Sequence, residues 1–131
     1  MTGKTHAFSV RVYYEDTDFS GNVYHAAYLK FFERARTEFL RAEGIHHSEL
    51  AKDGIAFAVR SMAIDFLAAA HIDDVLAIET VAEAASGARL GLRQAASLNG
   101  APIATAGVVV VAIRRDGRAA RLPKAVLALF G

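Results

Sequence analysis

A chain of 131 residues, 53% hydrophobic and 22% charged, has room for one domain built on one core; the disordered class and a second domain are both excluded. It contains no cysteine, so disulfides, thiol nucleophiles and Cys-type zinc sites are ruled out, and the chemistry left is that of carboxylates, histidines and hydroxyls. The net charge of +1 conceals a split: residues 1–83 carry 8 basic and 13 acidic side chains and residues 84–131 carry 7 basic and 1 acidic, or −5 against +6.

The first six residues, Met1 to His6, run straight into alternating sequence without the apolar core of a signal peptide, and no apolar stretch approaches the roughly 20 residues of a bilayer-spanning helix. A cytoplasmic protein with no membrane span is expected. Phe8, Val10, Val12 and Tyr14 alternate with polar positions and predict a strand over Ala7–Tyr14. Residues 15–22, rich in Asp, Ser and Gly, predict a loop. Tyr28, Phe31, Phe32, Ala35, Phe39 and Ala42 then recur at helical spacing in a stretch free of Gly and Pro. They predict a long helix over Val23–Glu43, stopped at Gly44.

A helical turn at Ser48–Lys52 and a break at Asp53-Gly54 precede a predicted strand over Ile55–Phe66. Three more strands follow, Val75–Ala85, Arg89–Leu98 and Ile103–Arg114, joined by Ser86-Gly87 and by Asn99-Gly100, a strong hairpin signal. A short capping turn is expected in Pro123–Phe130. One long aromatic-faced helix followed by strands of a meander predicts an α+β domain over residues 1–131, its antiparallel sheet wrapped around the helix. A helix on one sheet face leaves the other face and an edge uncovered, and Val108–Val111 points apolar side chains both ways. A homodimer or homotetramer is therefore expected.

The densest chemistry lies between the first strand and the helix, from Tyr13 to Tyr28, where three acids, a glycine and a histidine converge. A carboxylate delivered just before a helix sits near unpaired backbone N–H groups that polarise a carbonyl, an arrangement suited to acyl transfer. Read without other context, Asp18 is equally a turn or helix-capping aspartate. Asp16 to Gly21 imitates the opening of a calcium loop, but position twelve is Ala27 where a bidentate Glu is needed.

This stretch resembles the 4-hydroxybenzoyl-CoA thioesterase-like hotdog family, and more closely its Tol-Pal-associated acyl-CoA thioesterase subfamily. The carriers are Arg11 to Asp18, Gly21, Val23-Tyr24-His25, and Tyr28 to Glu38. The resemblance implies the hotdog fold, an active site between protomers, no metal or organic cofactor, and hydrolysis of an acyl-CoA thioester. It assigns the essential carboxylate to Asp18, a second catalytic role to His25, and associated site positions to Tyr14 and Glu33. Helix-start amides near Tyr24 and His25 are the expected oxyanion donors, with Asp18 acting as nucleophile or as general base. Three positions depart from the family pattern, Phe19, Asn22 and Ala27; Phe19 and Ala27 are expected to reshape the acyl pocket.

Among the basic residues of the last third, Arg89 and Arg93 are the expected contacts for the phosphates of coenzyme A. Arg114, Arg115 and Arg118 are alternatives, and a merely solvated rim is the plainer reading. Nucleic acid is disfavoured because no aromatic residue lies between Phe66 and Phe130 to stack a base. The rival to an enzyme is a non-enzymatic module that binds an acyl chain or acyl carrier protein, which is also a possible substrate carrier.

Overall fold

A computed structural model describes residues 3–131; Met1 and Thr2, the head of the N-terminal stretch read above, lie outside it. The strands are β1 (Thr5–Arg11), β2 (Ile55–Phe66), β3 (Val75–Ser86), β4 (Arg89–Leu98) and β5 (Ala101–Arg114). The helices are α1 (Ala27–Ala42), α2 (His47–Lys52) and α3 (Lys124–Leu127). The strands form one antiparallel sheet in the order β1-β3-β4-β5-β2, which leaves β1 and β2 as its edges.

Helix α1 lies on one face of that sheet and sinks Phe31, Phe32, Ala35 and Phe39 into the core. Leu76, Ile78, Leu90, Leu92, Val108 and Val110 meet it from the strands, each at an inward position of the two-residue alternation. Val109 and Val111 point the other way and stay half-buried, so the outer face is partly apolar, as the Val108–Val111 run predicts. A polar bridge crosses the core. The Gln94 side-chain amide donates to the Phe32 carbonyl (2.9 Å) and to Thr80 Oγ1 (3.0 Å), and its oxygen accepts from Arg36 Nη1 (3.1 Å).

The predicted β2 bounds are those observed, and β4 likewise; the Asn99-Gly100 turn closes with both residues in the left-handed region (φ 51 and 85), the signature of a type I′ hairpin. Gly44 (φ 78) ends α1, where the Ile45 N–H returns to the Leu40 carbonyl at 2.8 Å. Elsewhere the ends shift by one or two residues, as β5 does by starting at Ala101 where Ile103 is predicted, and the two larger differences both lie beside the chemistry. The first strand ends at Arg11, because Val12 is captured by the 71–74 turn: its N–H donates to the Asp74 carbonyl (2.8 Å) and its carbonyl accepts from the Asp73 N–H (2.9 Å). Tyr14 then starts a 3₁₀ turn and is 82% exposed, out of the alternation that placed it inside. The helix begins at Ala27, four residues after the predicted start at Val23. Val23 and Tyr24 donate instead to the carbonyls of Ala70 (2.8 Å) and Asp16 (2.9 Å), and these bonds hold residues 23–24 out of the helix.

Candidate active site

Asp18 opens a tight turn between β1 and α1. Its N–H donates to the Asn22 carbonyl (3.0 Å), its carbonyl accepts from the Gly21 N–H (3.0 Å), and Gly21 sits at φ 84, where a side chain would be strained. Asp18 Oδ1 accepts from the Ser20 N–H at 2.8 Å and from the Ser20 hydroxyl in a still shorter contact. These bonds favour the charged carboxylate. The Ser20 hydroxyl, then the Ser20 N–H, with a smaller contribution from His25, hold Asp18 below the ordinary aspartate pKa. No protein donor reaches Oδ2 among the described residues.

The turn is fastened to the sheet by the Val23–Ala70 bond and by a bridge between Asn22 and His71. Asp18 and His25 thereby line one open cleft of about 380 Å³, with Tyr28 behind them and Phe66 to Ala69 along the far wall. The His25 ring meets Phe66 edge-on (centroids 6.4 Å apart), and Phe66 also packs on Tyr28 (5.6 Å). Burial, aided by Asp74, pushes the Tyr28 phenol up, so it stays protonated.

Helix α1 has no side-chain cap, but its first N–H groups, those of Ala27, Tyr28 and Leu29, donate to the carbonyls of Tyr24, His25 and Ala26, so any open amide lies in the turn just before it. The Tyr24 N–H is already given to Asp16, which corrects the expectation that it serves as an oxyanion donor. The N–H groups of His25 and Ala26 donate to no group among the described residues. Asp16 and Asp18 do not act as a pair: Asp16 caps its own turn through the Tyr13 N–H (2.8 Å) and lines a separate cleft with Tyr24, Lys30 and Arg34. Asp18 is a turn aspartate, not a helix cap, since the cap position is Ala26.

Of the other expected site residues, Tyr14 does not line the Asp18 cleft, and Tyr24 only stacks on His25 (4.4 Å) from the next cleft. Glu33 stands further along α1, at the rim of a cavity between α1 and β2. Arg89 lies at the β3–β4 turn and Arg93 pairs with Glu83 (3.3 Å) on the outer face. Within one chain Arg89, opposite Ser86, sits at the far end of β3 from Asp18, on the order of 35 Å along the strand, and Arg93, opposite Val81, lies midway, on the order of 20 Å along it. Phe19 is fully exposed at the turn tip and Ala27 is turned into the core, so neither lines the cleft, whereas Asn22 does. Sequence reasoning missed Ser20 and Tyr28 as site residues. The Asp-x-Ser spacing is the signal for the first, a side chain bonding its own backbone two residues on; Tyr28 was read only as core.

No described helix is long and apolar enough to cross a membrane. Residues 12–130 match the thioesterase-like superfamily. Among similar proteins, the acyl-CoA thioesterase YbgC of Haemophilus influenzae is 42% identical over 126 residues, covering 95% of this chain and 93% of that one. The acyl-CoA thioester hydrolase YbgC of Escherichia coli is 41% identical, over 92% of each. A crystal structure of a probable thioesterase from Bartonella henselae superimposes with a TM-score of 0.88 at 43% identity, over 92% of this chain and all of that one. A 1,4-dihydroxy-2-naphthoyl-CoA thioesterase from Synechocystis gives 0.89 at 26% identity, over 96% and 95%.

Proposed function

The chain belongs to the thioesterase-like superfamily with the YbgC acyl-CoA thioesterases and is a thioester hydrolase of hotdog fold; from that premise we propose that Asp18 attacks the thioester carbonyl of an acyl-CoA. The observation that carries the assignment is an ionised carboxylate, one oxygen held by Ser20 and the other free, in the same cleft as His25, whose own N–H is open. The free Oδ2 bonds to the carbonyl carbon, the oxyanion is received by the His25 N–H, and the coenzyme A thiolate leaves. Water then breaks the mixed anhydride, releasing the carboxylic acid and restoring Asp18. The same charged carboxylate serves general-base attack by water, and labelling separates the two routes. The non-enzymatic scaffold reading gives way to the hydrolase one on the strength of the relatives.

Coenzyme A is assigned to a site shared by two copies. Strand β2 is an open edge with Val59 and Phe66 about half exposed. Antiparallel pairing of two such edges sets the Ile55 end of one copy, with its Arg89 and Arg114, against the Phe66 end of the other, with its Asp18. Acyl carrier protein presents the same pantetheine arm and is the alternative carrier. Both carriers fit a cytoplasmic enzyme.

Asp18→Asn keeps the shape and removes the charge, so turnover of a short acyl-CoA should fall by roughly 100-fold or more, with the melting temperature little changed. Near-normal turnover would sink the assignment. Quenched single turnovers in oxygen-18 water separate the routes. An acyl adduct or label on the Asp18 peptide is expected; neither, with label only in the released acid, would make Asp18 a general base.

A further inference from the structure

A second cavity, of about 390 Å³, opens between α1 and β2. Its lining is mixed: Leu40, Leu90, Leu92 and Val110 are buried apolar walls, Thr37 and Arg36 add polar surface, and Glu33 and His47 are exposed. One of its charges is buried. Arg36 lines the cavity at 9% exposure, and it forms no ion pair with any described carboxylate. Its one hydrogen bond to a described residue runs from Nη1 to Gln94 Oε1, although a guanidinium carries five N–H donors.

Taking an arginine out of water without a carboxylate is costly, and the cost is recovered when a second group supplies the missing acceptors. Gln94 is in turn fixed by Phe32 and Thr80, so the guanidinium is held in place before any ligand arrives. Burial lowers the Arg36 pKa, and the nearby charge of Glu33 opposes that shift, which keeps the cation in being.

We propose that Arg36 determines acyl specificity: it receives the far-end carboxylate of an ω-carboxyacyl group whose methylene chain lies along the apolar walls. This rests on the thioesterase reading above, and on the pairing across β2 that puts the cavity of one copy beside the Asp18 end of the other. A buried cation flanked by buried leucine and valine side chains matches a ligand with an apolar body and an anionic tip, because planar paired donors suit a carboxylate and reject a methyl group.

The test compares adipoyl-, suberoyl- and sebacoyl-CoA with their monomethyl esters and with hexanoyl-CoA, in the wild type, Arg36→Gln and Arg36→Lys. The wild type is expected to favour at least one free ω-carboxylate over its ester in kcat/KM. Arg36→Gln should cut that kcat/KM by about tenfold or more while changing hexanoyl-CoA by less than about threefold, and Arg36→Lys should restore part of the preference. A wild type with no preference for any free acid overturns the proposal, as does a parallel fall on all substrates, the mark of a purely structural arginine. If Arg36→Gln does not fold, Arg36→Lys and the wild-type ratio decide alone. Failure here with Asp18-dependent hydrolysis of hexanoyl-CoA intact leaves the thioesterase assignment standing; loss of that dependence is a failure of the earlier reading.

Discussion

Ser20 lowers the pKa of Asp18, so its removal gives the most local prediction. The hydroxyl is the foremost reason the Asp18 pKa is lowered, ahead of the Ser20 N–H. A depressed carboxylate pKa keeps the anion, and any stability it contributes, down to a pH below the ordinary aspartate value, and both are lost only as pH falls through the lowered value. In Ser20→Ala the N–H bond remains and the hydroxyl bond does not. The acid limb of kcat/KM should therefore move up, toward about pH 4, with the plateau near neutral pH largely kept. An acid limb that stays put would show that another group controls the approach to the substrate. Residue types alone mark the loop as the densest chemistry of the chain, and the resemblance to the thioesterase family singles out Asp18 and His25 within it. The parting of Asp16 from both is not legible in sequence, because it depends on which way a turn carries each side chain.

Helix α1 owes its register on the sheet to more than its aromatic stripe. A row of Phe side chains tolerates sliding by small repacking, whereas the Gln94 bridge to the Phe32 carbonyl, Thr80 and Arg36 fits one placement only. Gln94→Leu removes every one of those bonds and strands the Arg36 charge, so urea denaturation should show a loss of about 3 kcal/mol. A loss below about 1 kcal/mol would mean that water or a shift of α1 replaces the bridge. The helix itself is readable in the sequence because an apolar period of 3.6 over about four turns has no other use. Its first residue is not. Val23 and Tyr24 have helical neighbours in sequence, but they spend their N–H groups on Ala70 and Asp16, and the delay leaves the His25 amide, at the Asp18 cleft, without a partner among the described residues.

The proposed assembly through β2 is tested on the whole molecule. Ser61→Lys puts a charge in the middle of the exposed β2 edge, where a twofold axis would set it against its own copy. Sedimentation at micromolar concentration should show a shift to monomer, with activity lost alongside; a fully active wild-type monomer would contradict the shared site. Arg89→Ala should lower kcat/KM for an acyl-CoA by about tenfold while sparing the matching acyl-pantetheine, and added salt should mimic the defect. Arg93→Ala should do less, since Arg93 is already paired with Glu83. Equal effects on both substrates would return these arginines to the solvated surface. The sequence by itself determined the elements, the antiparallel meander and the loop that bears the chemistry, because periodicity, turn residues and a dense local motif are written in neighbouring positions. The Ser20 bond to Asp18 is local too, and its Asp-x-Ser spacing is written in the sequence. Only the tertiary structure decided which amide is free and that an arginine lies buried beside a cavity, because those depend on hydrogen bonds and packing between residues well separated in the chain.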